Sequence, residues 1–334
     1  MRIPIFGSFV GHRFKGSLLA MGLGAMGCSV LGGCGSGGSN ASAPPPNTEA
    51  AAVPASGQTT AATSTMPAAP ASAEGATNVV STTPEPADTE GRIRWALAGQ
   101  HRTEKERARD RYRHPLETLT FFGLKPEMTV VELWPGGGWY TEILAPLVRD
   151  RGKLAVTSFD PANLKGDSKA NVEEYAAKLH DAPAVYGQVD MRTINPPSSL
   201  SLGPDGSADA VLTFRNIHNW MGNGYADKIF GAAFRVLKHG GILGVEEHRA
   251  PPGTDAKKSS DTGYVTEDAV IQFAKAAGFV LDRKSEINAN PKDTKDYPKG
   301  VWTLPPTLDL GATDRDKYLA IGESDRMTLR FKKP

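Results

Sequence analysis

The chain has 334 residues, with 38 Lys and Arg against 37 Asp and Glu and a formal net charge of +1. That length suits one or two domains, and the near-neutral balance argues against a nucleic-acid-binding module with its basic stripe, so no nucleic-acid partner is expected. The two cysteines, Cys28 and Cys34, both lie near the N-terminus and leave the rest of the chain without a disulfide or a cysteine-based metal site.

A basic start with Arg2, Arg13 and Lys15 precedes an uncharged Gly/Ala/Leu run from Ser17 to Gly33, the pattern of a secretory signal. Within it, Leu31-Gly32-Gly33-Cys34 resembles the lipobox of bacterial lipoproteins. The resemblance implies a signal peptide over residues 1–33, export, and attachment to the periplasmic side of a bacterial membrane through a lipid on Cys34. An ordinary cleaved signal or an uncleaved anchor is the alternative, and Cys28 sits in a weaker version of the pattern. From Gly35 to Gly91 there is no aromatic residue, Lys or Arg, and the apolar content is mostly alanine. Such a composition buries too little surface to offset its ordering entropy, so residues 34–90 are expected to form a disordered Ala/Pro/Ser/Thr tether.

Residues 91–334 fit one domain of ordinary size. Arg92 to Arg113 is rich in arginine but interspersed with Glu104, Glu106 and Asp110, which reads as a solvated helix face. His114-Pro115 opens a short helix that reaches Phe122 and is closed by Gly123. A strand Thr129 to Leu133 follows, then a helix Trp139 to Val148 despite Pro146, and a strand Lys153 to Phe159. A helix near Val172 to His180 leads to a strand Ala184 to Val189 ending at Asp190. The Pro/Ser/Gly run 195–207 is a loop. Next come a strand Ala208 to Phe214, a helix Asp227 to Leu237, the Gly240-Gly241 turn and a strand Ile242 to Glu246. Thr266 caps a helix ending at Ala277 before Gly278, a strand Phe279 to Ile287 follows, and Met327 to Lys332 alternates as a final strand. Strands alternating with helices predict an α/β fold: a doubly wound, Rossmann-like, mostly parallel sheet with helices on both faces.

The stretch VELWPGGGWYTEIL, residues 131–144, runs from strand into helix through three glycines. Glycine serves where backbone turns with φ > 0 or where a ligand comes closer than a Cβ permits, and both needs arise at the strand ends of an open α/β sheet. The dinucleotide fingerprint lacks its third glycine, since Thr141 stands there, and no Gly-Lys-Ser/Thr follows for a phosphate loop. What remains is an acid closing a strand, a glycine turn and a helix N-terminus suited to a carboxylate, which fits an amino-acid-bearing adenosine ligand.

The run LKPEMTVVELWPGGG resembles the first motif of class I S-adenosylmethionine-dependent methyltransferases. With DAVLTFRNIHNWM, RVLKHGGILGVEEHRA and YLAIGESDRMTLRFKKP, the stretch from about Ala96 to Pro334 is similar to a family of exported bacterial methyltransferases. The resemblance implies a seven-strand sheet with its last strand antiparallel, S-adenosylmethionine lying across the strand ends, and methyl transfer to a small-molecule acceptor. Glu132, Trp134, Gly136, Gly137, Gly138 and Tyr140 would then bind cofactor, with Trp134 where the superfamily has its first glycine. The ribose-binding acid would fall near Thr157 or Ser158, and the nearest acid is Asp160.

Asp160 and Asp190 each follow an expected strand, where carboxylates reach ribose or adenine; solvated loop acids are the alternative. Asn216 and His218 lie just past the fourth strand, facing the methyl donor. His218 or Tyr112 is the candidate proton acceptor, and a structural histidine is the alternative. Trp139, Trp220 and Trp302 read as core or lid contacts. Glu246, Glu247 and His248 close the fifth strand and with His218 are metal-ligand types, but no H-E-x-x-H spacing or second cluster accompanies them and no metal is expected. Two rival functions stand beside methyl transfer: a non-catalytic exported binding protein of the same fold, and metal-assisted hydrolysis at His218 and Glu246.

Overall fold

A computed structural model of the chain describes residues 79–334; the expected signal segment, the expected anchor at Cys34 and most of the expected tether fall outside the described residues. In chain order the elements are α1 (Thr89–Leu97), α2 (Glu104–Arg107), α3 (Asp110–Arg113), α4 (Pro115–Phe122), β1 (Thr129–Leu133), α5 (Thr141–Val148) and β2 (Lys153–Phe159). Then follow α6 (Gly166–Asp181), α7 (Pro183–Tyr186), β3 (Asp190–Ile194), β4 (Ala208–Phe214), α8 (Ile217–Gly222), α9 (Ala226–Val236) and β5 (Leu237–His248). The chain closes with α10 (Ala256–Thr262), α11 (Glu267–Ala276), β6 (Val280–Ser285), α12 (Arg315–Ile321) and β7 (Arg326–Lys332).

The strands make one seven-stranded sheet in the order β3-β2-β1-β4-β5-β7-β6, parallel except for β7, which runs antiparallel to both its neighbours. This is the expected doubly wound architecture with its last strand reversed. Because side chains alternate along a strand, each central strand feeds two cores. Val131, Leu133, Val211, Leu243, Val245 and Leu329 pack under α9 and α11. Val130, Leu154, Val156, Ala210, Leu212 and Phe214 pack under α1, α4 and α5.

Three sequence expectations are corrected. The apolar run 184–189 is no strand: Pro183 starts the one-turn helix α7, and the strand is Asp190–Ile194, whose residues are mostly exposed at the sheet edge. Packed structure begins before residue 91. Val80 is buried in the α5-side core, the Thr83 carbonyl accepts from the Trp95 indole, and Glu85 pairs with Arg92. The arginines of 92–113 are not all on a solvated face, for Arg92, Arg102 and Arg113 are buried while Arg94 and Arg111 are exposed. Arg92 donates to the Pro146, Leu147 and Arg149 carbonyls, filling acceptors left open at the end of α5.

Candidate functional site

β1 and β4 lie at the middle of the sheet, and their carboxyl ends, with that of β5, frame the glycine turn. The three glycines do different work. Gly136 and Gly138 have φ of 59° and 81°, the left-handed region that costs a Cβ-bearing residue. A Cβ on Gly138 would also meet the Tyr175 ring at 2.6 Å, so this glycine lets α6 approach the turn. Gly137 is exposed, and a Cβ there would meet nothing within 4 Å. Of the three, Gly137 is the one with neither a left-handed φ nor a packing contact to account for its missing side chain.

Glu132 is fully buried on the α5 face of β1 and accepts from the Thr141 hydroxyl at 2.6 Å; Thr141 in turn is 3.0 Å from the Tyr175 hydroxyl. Burial raises its carboxyl to about 7, with Thr141 and the Lys178 charge pulling the other way. Lys178 donates to the Gly137 carbonyl at 3.1 Å and pairs with buried Glu142. Tyr140 stacks on Phe214 with 3.5 Å between centroids and donates to Glu246 at 2.7 Å; burial and that carboxylate push its hydroxyl well above its ordinary range.

Trp134 stands where a glycine was expected by resemblance, and it adopts glycine's backbone, with φ of 45°. Its N–H donates to Thr157 Oγ1 at 3.2 Å, while Asn216 Nδ2 donates to the Leu133 and Trp134 carbonyls at 2.9 and 3.3 Å. The indole lies against Phe159 and Trp220, with centroids 5.4 and 5.2 Å apart, and its buried Nε1 has no hydrogen-bond partner. Glu132, Trp134, Gly136, Gly137, Tyr140, Phe214 and Arg215 are among the residues around a cavity of only about 20 Å³, room for about one water. The cavity as it stands admits nothing larger than a water, so a ligand at the turn has to approach the exposed Gly137 backbone from outside it.

The other expected site residues are dispersed. Asp160 caps the 3₁₀ turn after β2, accepting from Ala162 N and Asn163 Nδ2. Asp190 opens β3 instead of closing a strand, level with Ala155, and pairs with Arg192; it does not reach the carboxyl edge. Asn216 clamps the exit of β1 through its amide. The Tyr112 hydroxyl accepts from Arg111 at the surface. Glu246 and Glu247 part company because they alternate on β5. Glu246 faces Tyr140, Arg215 and Arg326 on the α5 side. It is Glu247, on the other side, that meets His218, so the pairing of His218 with Glu246 does not form.

Around Glu247 the structure gathers what spacing could not show. Its carboxylate accepts from Ile217 N at 2.5 Å and His248 N at 3.0 Å, and lies 3.1 Å from His218 Nδ1. His218 is buried and its Nε2 has no hydrogen-bond partner. His248 Nδ1 is 2.5 Å from Ser324 Oγ, and burial holds this imidazole well below its ordinary range. Arg215 was also missed; it leaves β4 with φ of 62° at the cavity's rim. The alternation of E-E-H at a strand end was the signal available for the first group, and none marked Arg215.

No family profile matches the chain, and no curated protein resembles it in sequence. Among solved structures, a SAM-dependent methyltransferase from Aquifex aeolicus is similar at 16% identity, over 68% of this chain and 93% of that one, with a TM-score of 0.45. A geranyl diphosphate C-methyltransferase from Streptomyces coelicolor, solved with Mg2+, geranyl diphosphate and S-adenosyl-L-homocysteine, is similar at 13% identity over 75% and 86%, TM-score 0.43. An arsenic(III) S-adenosylmethionine methyltransferase from Chlamydomonas reinhardtii is similar at 15% identity over 75% and 74%, TM-score 0.41. These are likenesses of architecture; residue roles rest on the geometry above.

Proposed function

We propose that this chain binds S-adenosylmethionine at the β1–α5 turn and transfers its methyl group to a small-molecule acceptor. The observation that carries the reading is the exposed, bare backbone at Gly137, set between two left-handed glycines at the N-terminal end of α5 and backed by the buried acid Glu132. A backbone open to close approach at a helix N-terminus suits the carboxylate of an amino-acid ligand. Gly136 to Gly138 hold that end, and Tyr140 and Arg215 border the space beside it.

The cofactor, when bound, supplies an already activated methyl group on sulfur. The chain's own work is then to hold donor and acceptor in line, so catalysis comes chiefly from proximity and orientation. Trp134 and Phe159 form an aromatic wall next to the turn, and an aromatic face attracts a sulfonium by cation-π interaction. Admission of a whole nucleoside requires the Trp134 indole to swing away from Trp220.

The test is turnover. The full chain, incubated with methyl-labelled S-adenosylmethionine and a panel of small amines, thiols, carboxylates and metalloid oxyanions, is expected to form S-adenosylhomocysteine with at least one acceptor. Saturable binding without product across the panel favours a binding protein of the same fold.

A further inference from the structure

We infer that His218, Glu247 and His248 form a binding site for one divalent first-row transition-metal ion. The three side chains are buried, and one donor atom from each lies within 4.8 Å of the other two. His218 Nδ1 and Glu247 Oε1 are 3.1 Å apart. Two ligands that each stand about 2.0–2.2 Å from a zinc ion are separated by about 2.9–3.5 Å at right to tetrahedral angles, so this pair already has the spacing of neighbouring ligands. The third donor, on His248, lies within 4.8 Å of the other two and has to move inward to complete the set.

Charge points the same way. Glu247 is a fully buried carboxylate whose hydrogen bonds come from two backbone N–H groups and an imidazole. Its neighbours on the network differ: Glu246 faces Arg215 and Arg326, and Glu323 faces Arg109, Arg113 and Arg326. Glu247's ionic partner here is the His218 ring, which is charged only if protonated; buried charges are paired or coordinate metals, and a cation held between Glu247 and the two rings supplies that counter-charge with both rings neutral. Of the two His218 nitrogens it is Nδ1 that faces Glu247 and serves as the ligand, so the unpartnered Nε2 lies outside the donor set.

The surroundings fit ligation. His248 Nδ1 is held by Ser324 Oγ at 2.5 Å, the outer-shell bond that fixes the ring of a metal-binding histidine and leaves Nε2 to the metal. Two imidazoles and one carboxylate are a donor set for Zn2+, Co2+, Fe2+ or Mn2+ and a poor one for Mg2+. Three protein ligands leave a position open to water or to an oxygen or sulfur atom of a small ligand. His218 is thereby a metal ligand in place of the proton acceptor that its position past β4 had indicated.

The experiment is a titration of chelator-stripped full chain with Zn2+ and with Co2+, without S-adenosylmethionine, so its outcome is independent of the methyl-transfer reading. One ion per chain is expected, together with a visible Co2+ spectrum of low coordination number, and Mg2+ is expected not to compete. Glu247→Gln and His248→Asn should each weaken Zn2+ by about 100-fold or more, since loss of an outer-shell partner alone costs about 10–100-fold. Ser324→Ala removes only that outer bond and should weaken Zn2+ by about 10-fold or more, which keeps the test open if a ligand variant fails to fold. No binding of either ion overturns the site, as does competition by Mg2+ at equal concentration. Affinity unchanged in all three variants also overturns it, by placing the ion elsewhere, such as on Cys28 and Cys34.

Discussion

Trp134 and Glu132 sit two positions apart on the same strand exit and show how burial and backbone compete at single residues. A tryptophan at φ of 45° costs about 1–2 kcal/mol against an ordinary backbone. Packing against Phe159 and Trp220, with hydrogen bonds from Asn216 and to Thr157, offsets that cost. Glu132 was legible as part of the motif, but its partner Thr141 was read only as a missing glycine; which hydroxyl meets which acid depends on how α5 docks. The carboxyl's rise to about 7 has a consequence for stability. Below pH 4.5 it is protonated in both folded and unfolded states. Between about 4.5 and 7 only the unfolded chain releases the proton, so stability falls as pH rises, by about 1.4 kcal/mol per unit, and is level above 7. Urea unfolding of Glu132→Gln beside wild type should therefore show the variant gaining about 2–4 kcal/mol relative to wild type from pH 4.5 to 7. A difference that does not change with pH contradicts the burial argument.

Helix α5 carries Pro146 at its sixth position, and proline removes the N–H that would bond the Glu142 carbonyl one turn earlier. His101 Nε2 lies 2.7 Å from that carbonyl and replaces the lost donor; burial lowers this imidazole to about 4, so it stays neutral at physiological pH. His101→Phe should cost about 1–3 kcal/mol in the native chain, and markedly less in a Pro146→Ala background, where the backbone supplies its own donor. Equal costs in both backgrounds, measured by denaturant unfolding, would show that His101 acts by packing alone. Proline and the helix boundaries were readable from the chain; the histidine 45 residues away was not, because only the docking of α1 to α5 brings it there. The same limit explains β3. A polar, exposed edge strand has little periodicity to betray it, whereas the apolar run beside it, Ala184 to Val189, mimics a buried strand.

At the scale of the molecule, the doubly wound, mostly parallel sheet was legible because alternating strands and helices leave few ways to wind, whereas the reversed final strand was expected only from the resemblance to class I methyltransferases and the strand order came with the structure. The domain's start was not, since Val80, Thr83 and Glu85 sit in a tract of disorder-like composition and gain order only by packing on α1 and α5. A chain shortened to begin at Gly91 should melt several degrees lower than one beginning at Val79; equal melting temperatures would mean those contacts contribute nothing. The central claim is that the bare turn at Gly137 faces the cofactor. Gly137→Val adds bulk where nothing lies within 4 Å, so the fold has no reason to suffer. Calorimetric titration of wild type and Gly137→Val with S-adenosylmethionine, each with a thermal melt, tests it most directly. The account predicts saturable binding by wild type and an equally stable variant that binds at least about tenfold more weakly, a loss of about 1.4 kcal/mol. Equal binding by both chains, or none by wild type, would contradict it.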